Sequence, residues 1–165
     1  MSCVVLPLNL KLICLTSTTV TGCSSGLGQA LAKYVREAGY NVVATARNVA
    51  SLAYLPDDPK ILKLRLDVTS REGISAALDA VVKKFGRLDV LVNNAGLPAM
   101  GEAEGFPEDS ARTLMETNFW GAATLTRESI PILRDVNPQP GGVIVQVSSL
   151  SGTVAFGGAP FYHAR

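Results

Sequence analysis

Between Thr21 and Gly28 the chain reads Thr-Gly-Cys-Ser-Ser-Gly-Leu-Gly, set between a short β-prone run and a segment with helical periodicity. Gly22 permits a turn that a Cβ would obstruct, Gly26 lets backbone approach a diphosphate, and Gly28 lets the following helix pack closely on its strand. The stretch therefore reads as a phosphate cradle, and the chemistry of the chain is expected to face it. The glycines are spaced G-x3-G-x-G rather than G-x-G-x-x-G. An ordinary glycine-rich turn is the alternative, which the surrounding chain has to exclude.

Leu12 to Val20 must hold the first strand, although Thr16, Ser17, Thr18 and Thr19 make its second half more polar than a central parallel strand usually is. From Leu27 onward, Ala30, Leu31, Tyr34, Val35 and Ala38 recur at helical spacing, and Gly39 stops the helix. Asn41 to Ala46 is a continuous apolar strand with Arg47 and Asn48 at its end. In a dinucleotide-binding fold an acid about 20 residues past the glycine loop takes a ribose 2′-hydroxyl, whereas an arginine suits a 2′-phosphate. No acid lies between Asn41 and Ser51, so Arg47 either favours a 2′-phosphate or is a solvated arginine after a strand.

Ile61 to Leu66 alternates Leu62, Leu64 and Leu66 with Lys63 and Arg65, which predicts an exposed strand at a sheet edge. Asp67 follows it, and Thr69 to Glu72 reads as a capping box for a helix whose stripe is Ile74, Ala77, Leu78, Val81, Val82 and Phe85, ended by Gly86. Leu88 to Val92 is expected to be a buried strand delivering Asn93, Asn94, Ala95 and Gly96 at its carboxyl end, the ligand side of an open parallel sheet. Leu97 to Pro107 is a loop, and Glu108 to about Arg134 a long helix bent near Pro131. Leu114, Asn118, Gly121 and Leu125 share one face of that helix, which makes Asn118 either a packing amide or a functional one. After a turn at Pro138 to Gly142, Val143 to Val147 reads as a further buried strand handing over Ser148 and Ser149. A small-residue loop then leads to Phe161, Tyr162 and His163, the last read as a helix-start residue. Strands alternating with helices imply an α/β fold with a parallel sheet.

Bulk properties agree with a single domain over 1–165, with an apolar leader of uncertain role at 1–14. Charges are interspersed and the net charge is +1, which leaves no nucleic-acid footprint. Lys11 interrupts the apolar start, which lacks the pattern of a signal peptide and the length of a membrane span. Cys3, Cys14 and Cys23 have neither Cys-x-x-Cys spacing nor histidine companions, so no disulfide framework and no metal site are expected, and a reducing, cytoplasmic location fits. Cys23 reads as a small residue filling a tight loop.

Taken together, Thr21-Gly22-x3-Gly26-Leu27-Gly28, Asp67-Val68, Asn93-Asn94-Ala95-Gly96, Asn118, Ser149 and Tyr162 resemble the short-chain dehydrogenase/reductase family from about Thr19 to the last residue. The resemblance implies a Rossmann-type, doubly wound sheet of order 3-2-1-4-5 and hydride transfer between a nicotinamide cofactor, here NADP(H) in preference to NAD(H), and a small carbonyl or alcohol substrate. It implies cofactor contacts at Thr21, Gly22, Ser24, Ser25, Gly26, Leu27, Gly28, Arg47, Asp67, Val68, Asn94, Ala95 and Gly96. By the same resemblance Tyr162 is the general acid/base, Ser149 the hydroxyl that holds the substrate oxygen, and Asn118 the helix residue that positions a relay water.

The family's lysine four residues after the tyrosine would be residue 166, one past Arg165, which is no substitute for it. The sheet is accordingly expected to be incomplete on its carboxyl-terminal side and the chain by itself inactive and prone to aggregate, a homo-oligomer being expected of a complete chain. A non-catalytic nucleotide-binding or interaction fragment is the rival reading. Another Rossmann-type enzyme, such as a methyltransferase, is disfavoured by the asparagine, serine and tyrosine motifs.

Overall fold

The computed structural model describes residues 17–164. The expectations for the apolar leader, Cys3, Cys14, Arg165 and the start of the first strand lie outside those residues. Five parallel strands, β1 (Ser17–Val20), β2 (Asn41–Ala46), β3 (Ile61–Arg65), β4 (Val90–Asn93) and β5 (Val143–Gln146), form one sheet in the order β3-β2-β1-β4-β5. The α-helices between them are α1 (Gly26–Glu37), α2 (Arg71–Phe85), α3 (Glu108–Met115) and α4 (Ala122–Pro131), and the short α5 (Pro160–His163) follows β5. The expected order is thus the observed one, with β3 at an edge.

Side-chain alternation along the strands sorts the core into two layers. Val42, Ala44 and Ala46 of β2 join Val20, Val92 and Ile61 on the face covered by Ala32 of α1, with Leu31 and Val35 packed against it. Val43 and Leu91 point the other way, into Ile74, Leu78 and Val81 of α2 and Leu125 of α4. Strands β1 and β2 are buried along almost their whole length, as interior strands of a parallel sheet are. The polar β1 is no exception: Ser17 and Thr19 are buried, and Ser17 Oγ and Thr19 Oγ1 have no hydrogen-bond partner among the described residues. Its backbone is anchored instead, Ser17 N donating to the buried Asp89 Oδ2 (2.9 Å) while Asp89 N donates to Ser17 O (2.9 Å).

Several local expectations are corrected. The buried face of α1 is Gly28 and Ala32 with Leu31 and Val35 beside them, while Ala30, Tyr34 and Ala38 are exposed, because close packing at Gly28 sets the helix's rotation. The cap of α2 is Ser70, whose Oγ accepts from Gly73 N (3.0 Å), one residue later than the capping box read from Thr69. Thr69 is taken by Asp67, whose Oδ1 accepts from both its amide (3.0 Å) and its hydroxyl (2.8 Å). The long helix contains two π-helical turns, Glu116–Gly121 and Ile132–Val136, the second starting directly after Pro131. Finally, β5 is not a buried strand. Val143 and Val145 are 41% and 38% exposed, because β5 is the outermost strand of the described sheet and α1 lies over β1 and β2 at its other side.

Candidate functional site

The carboxyl ends of β1, β2, β3 and β4 open into one cleft of about 250 Å³. Its walls are Gly22, Ser24, Ser25, Leu27 and Gly28 from the glycine loop, Ala46 and Arg47 after β2, Leu66, Asp67 and Val68 after β3, and Asn94, Ala95, Gly96 and Leu97 after β4. Parallel strands place all these exits at one end of the sheet, which is why motifs scattered over some seventy residues of chain meet there.

The glycines divide into two kinds. A Cβ on Gly28 would lie 2.4 Å from Gly22 O and 2.5 Å from Asn94 Nδ2, and one on Gly22 would lie 2.9 Å from Ala95 Cα, so the loop is closed tightly on the exit of β4. Gly26 has φ +58° and nothing within 4 Å of its missing Cβ, leaving its backbone open to an approaching ligand. The fit to a phosphate-bearing group is therefore good: bare backbone and the amino end of a twelve-residue helix face a cleft that also contains an arginine.

Thr21 does not line the cleft but braces it. Its buried Oγ1 accepts from Asn94 N and Ala95 N (both 2.9 Å) and donates to Val92 O (3.3 Å), while Asn94 Nδ2 donates back to Thr21 O (2.7 Å) and to Gly22 O (3.3 Å). Cys23 fills the loop interior, its Sγ donating to Val20 O (3.2 Å), and burial pushes its thiol up to about 11. Tyr54 OH donates to Cys23 O (2.9 Å), and burial, then the neighbouring Cys23, raises its phenol to about 12. Both groups are neutral packing elements. The Asp67 carboxyl is held below the usual carboxylate range, first by its bonds from Thr69 and further by the charges of Arg47 and Arg65.

A second cleft of about 200 Å³ adjoins the first through Asn94 to Leu97 and is walled by Asn118, Gln146, Val147, Ser148 and Tyr162. Asn118 and Tyr162 thus share a cavity. Ser149 is not among its lining residues; its Oγ accepts from Ser151 N (3.3 Å) and lies 3.4 Å from Ser151 Oγ, capping the 3-10 turn Leu150–Gly152. Ser148 takes the place in the wall. Asn118 sits in the π-helical turn, accepting at Oδ1 from Leu97 N (2.7 Å) and donating from Nδ2 to Leu97 O (2.8 Å), a clamp between helix and loop. Gly121 lets the same turn close on Val68, where a Cβ would meet Val68 O at 2.9 Å.

Sequence reading missed Thr117, which lines the main cleft beside Asn118, and a polar junction in which Asn93 Nδ2 (2.9 Å) and Gln146 Nε2 (3.0 Å) both donate to Thr126 Oγ1. The signal for Thr117 was its adjacency to Asn118; the Thr126 junction left none. Among the described residues no group of three or more metal-ligating side chains occurs, and no helix is long and apolar enough to cross a membrane.

Comparison with known proteins agrees with this geometry. The family model described as short chain dehydrogenase matches residues 16–165. An oxidoreductase, calM, of Penicillium decumbens is 44% identical over 150 residues, covering 88% of this chain and 49% of that protein. A short-chain dehydrogenase from Streptomyces avermitilis superposes with a TM-score of 0.83 at 38% identity, over 90% of this chain and 54% of that one. A serine dehydrogenase solved with NADP+ superposes with a TM-score of 0.82 at 28% identity, over 90% and 60%. The chain spans about half the length of the curated relatives it matches. With the family's sheet order, its glycine loop at the strand ends and a family match over every described residue, the chain belongs to the short-chain dehydrogenase family.

Proposed function

We propose that this single domain carries the cofactor-binding and proton-handling part of an oxidoreductase that uses NADP(H), in preference to NAD(H), to interconvert a small carbonyl compound and its alcohol. The observation that supports this reading most is the composition of the main cleft, where the open glycine loop faces Arg47 at the end of β2 and no carboxylate occupies that strand end. Gly22, Ser24, Ser25, Gly26, Leu27 and Gly28 would hold the diphosphate, with Thr21 bracing the loop. Arg47 would pair with the 2′-phosphate, Asp67 and Val68 would close the nucleoside end, and Asn94, Ala95 and Gly96 would form the wall toward the second cleft.

When bound, the nicotinamide supplies or takes up a hydride at the carbonyl carbon. The remaining work falls to this chain's residues. Tyr162 gives its phenolic proton to the substrate oxygen in reduction and takes it back in oxidation. Ser149 donates a hydrogen bond to that oxygen after leaving its long cap bonds to Ser151. Asn118, whose amide is committed at both ends to Leu97, contributes by fixing loop and helix around the relay water rather than by binding it through its side chain. Activity is proposed for a protein of the relatives' length, with a homo-oligomeric state, and for a reducing cytoplasmic setting consistent with the buried free Cys23. For the 165-residue chain by itself no appreciable turnover is expected.

Isothermal titration with NADPH and NADH tests the cofactor assignment. NADPH is expected to bind more tightly, and Arg47→Ala to lose about tenfold or more in NADPH affinity with little change for NADH, the worth of a charge-assisted phosphate bond. Equal affinities in the unsubstituted protein, or a preference that survives Arg47→Ala, overturns it.

A further inference from the structure

Ser149 and Tyr162 stand thirteen positions apart, and residues 152–157 between them are exposed throughout. Thr153 N and Val154 N tie the start of that interval to Leu150 O (both 2.9 Å), and its exposed side chains bury little of their own surface against the rest of the fold. The helix α5 that carries Tyr162 is anchored on one side to the loop after β4: Phe161 packs on Phe106 with ring centroids 5.2 Å apart, and Gly101 N donates to Gly158 O (2.7 Å). Those contacts bind Tyr162 to residues 101–106. They do not bind it to Ser149.

His163, the next residue in α5, reaches the other way. Its half-buried ring lies edge-on to Phe156 at 4.5 Å, and its Nδ1 is 2.8 Å from Ser151 O. A carbonyl only accepts, so Nδ1 carries a proton. At Nε2, Phe156 N donates at 3.3 Å, and Phe156 O lies 3.1 Å away. Ser151 is buried, and its amide is held by Ser149 Oγ in the turn that Ser149 caps.

We propose that His163 is a positioning residue that fixes Tyr162 relative to Ser149, through an Nδ1–H bond to the turn capped by Ser149 and a Nε2 contact that gathers the exposed loop at Phe156. The functional consequence rests on the reading of Ser149 and Tyr162 as the reacting pair. The bridge itself does not. In this arrangement the neutral imidazole is the Nδ1–H tautomer, because Nδ1 faces only a carbonyl, at 2.8 Å, whereas Nε2 has the Phe156 amide beside it as a donor and can accept.

His163 is the only histidine in the chain, so its imidazole nitrogen resonances need no further assignment. Long-range 1H–15N correlation at about pH 8, where an ordinary imidazole is neutral, is expected to show the Nδ1–H tautomer. The Nε2–H tautomer overturns the proposal. In a protein of the relatives' length, with NADPH and 2,3-butanedione as probes, His163→Gln, which loses the donor near Nδ1, is expected to lower kcat by about tenfold or more with cofactor affinity within about twofold, as misplacement of reacting groups does. His163→Asn, which keeps a donor near Nδ1, is expected to restore most of kcat. Equal loss in both variants, or loss in neither, also overturns the proposal. Absent turnover in the unsubstituted protein, or turnover that survives Tyr162→Phe, instead fails the reading of the reacting pair, and the tautomer then decides the bridge alone.

Discussion

Asp67 shows how one side chain joins local structure to the site. It follows β3, accepts twice from Thr69 ahead of α2, and contributes its charge to the cleft that also holds Arg47. Those bonds favour the carboxylate, so its folded pKa is depressed below the ordinary value near 4. A depressed carboxylate contributes stability that is present above the unfolded pKa and is lost as pH falls through the folded one. Thermal melts from about pH 6 down to about pH 3 are expected to show the unsubstituted chain losing Tm more steeply than Asp67→Asn, which keeps an acceptor for Thr69 but does not titrate. Parallel slopes would remove Asp67 from the acid response. Asp67 is exposed, so its share is one of slope rather than of a large energy.

Among the elements, the long helix does most to shape the site, and its two π-helical turns mark the places where it does so. The first carries Asn118 to Leu97 and, through Gly121, sits tightly on Val68. The second ends at Asn137, whose buried Oδ1 accepts from Leu88 N (2.9 Å) while Nδ2 donates to Leu88 O (2.6 Å) and Gly141 O (3.0 Å). One amide thereby ties the end of the helix to the start of β4 and to the turn into β5. Asn137→Ala leaves the buried polar groups of Leu88 without their partner and is expected to cost about 2 kcal/mol in denaturant unfolding, with faster amide exchange concentrated in β4 and β5. A change below about 0.5 kcal/mol would show that water replaces the side chain.

At the scale of the whole molecule, α1, α2 and α4 cover β1 to β4 while β5 carries exposed valines at the end of the described sheet. Alternation puts Val143, Val145 and Val147 on the α1 face, and of these only Val147 packs against the α1-side core. An apolar strand with an open hydrogen-bonding edge recruits other chains. The 165-residue chain is therefore expected to associate with rising concentration in size-exclusion chromatography with light scattering, and Val145→Lys to shift it toward monomer. A monodisperse monomer in the unsubstituted chain would show that five strands suffice.

What the sequence by itself determined is whatever is written locally. The three glycines of the loop after β1, the continuous apolar run of β2, the alternating Lys63 and Arg65 of an edge strand, the stripe of α2 stopped by Gly86 and the arginine after β2 each follow from side-chain type and near-neighbour spacing. Those signals were enough for the fold class, and the motif resemblance added the strand order. The tertiary structure decided what depends on contacts between distant residues. Periodicity misplaced the buried face of α1 because packing of Gly28 on Gly22 and Asn94 sets its rotation, and the apolar pattern of β5 could not tell that none of the described helices covers its α1 face. Whether Ser148 or Ser149 faces the second cleft, that Asn118 clamps Leu97, and that His163 reaches back to Ser151 are set by side chains meeting across 2 to 21 positions of chain, through bonds of fixed direction that composition and spacing do not encode.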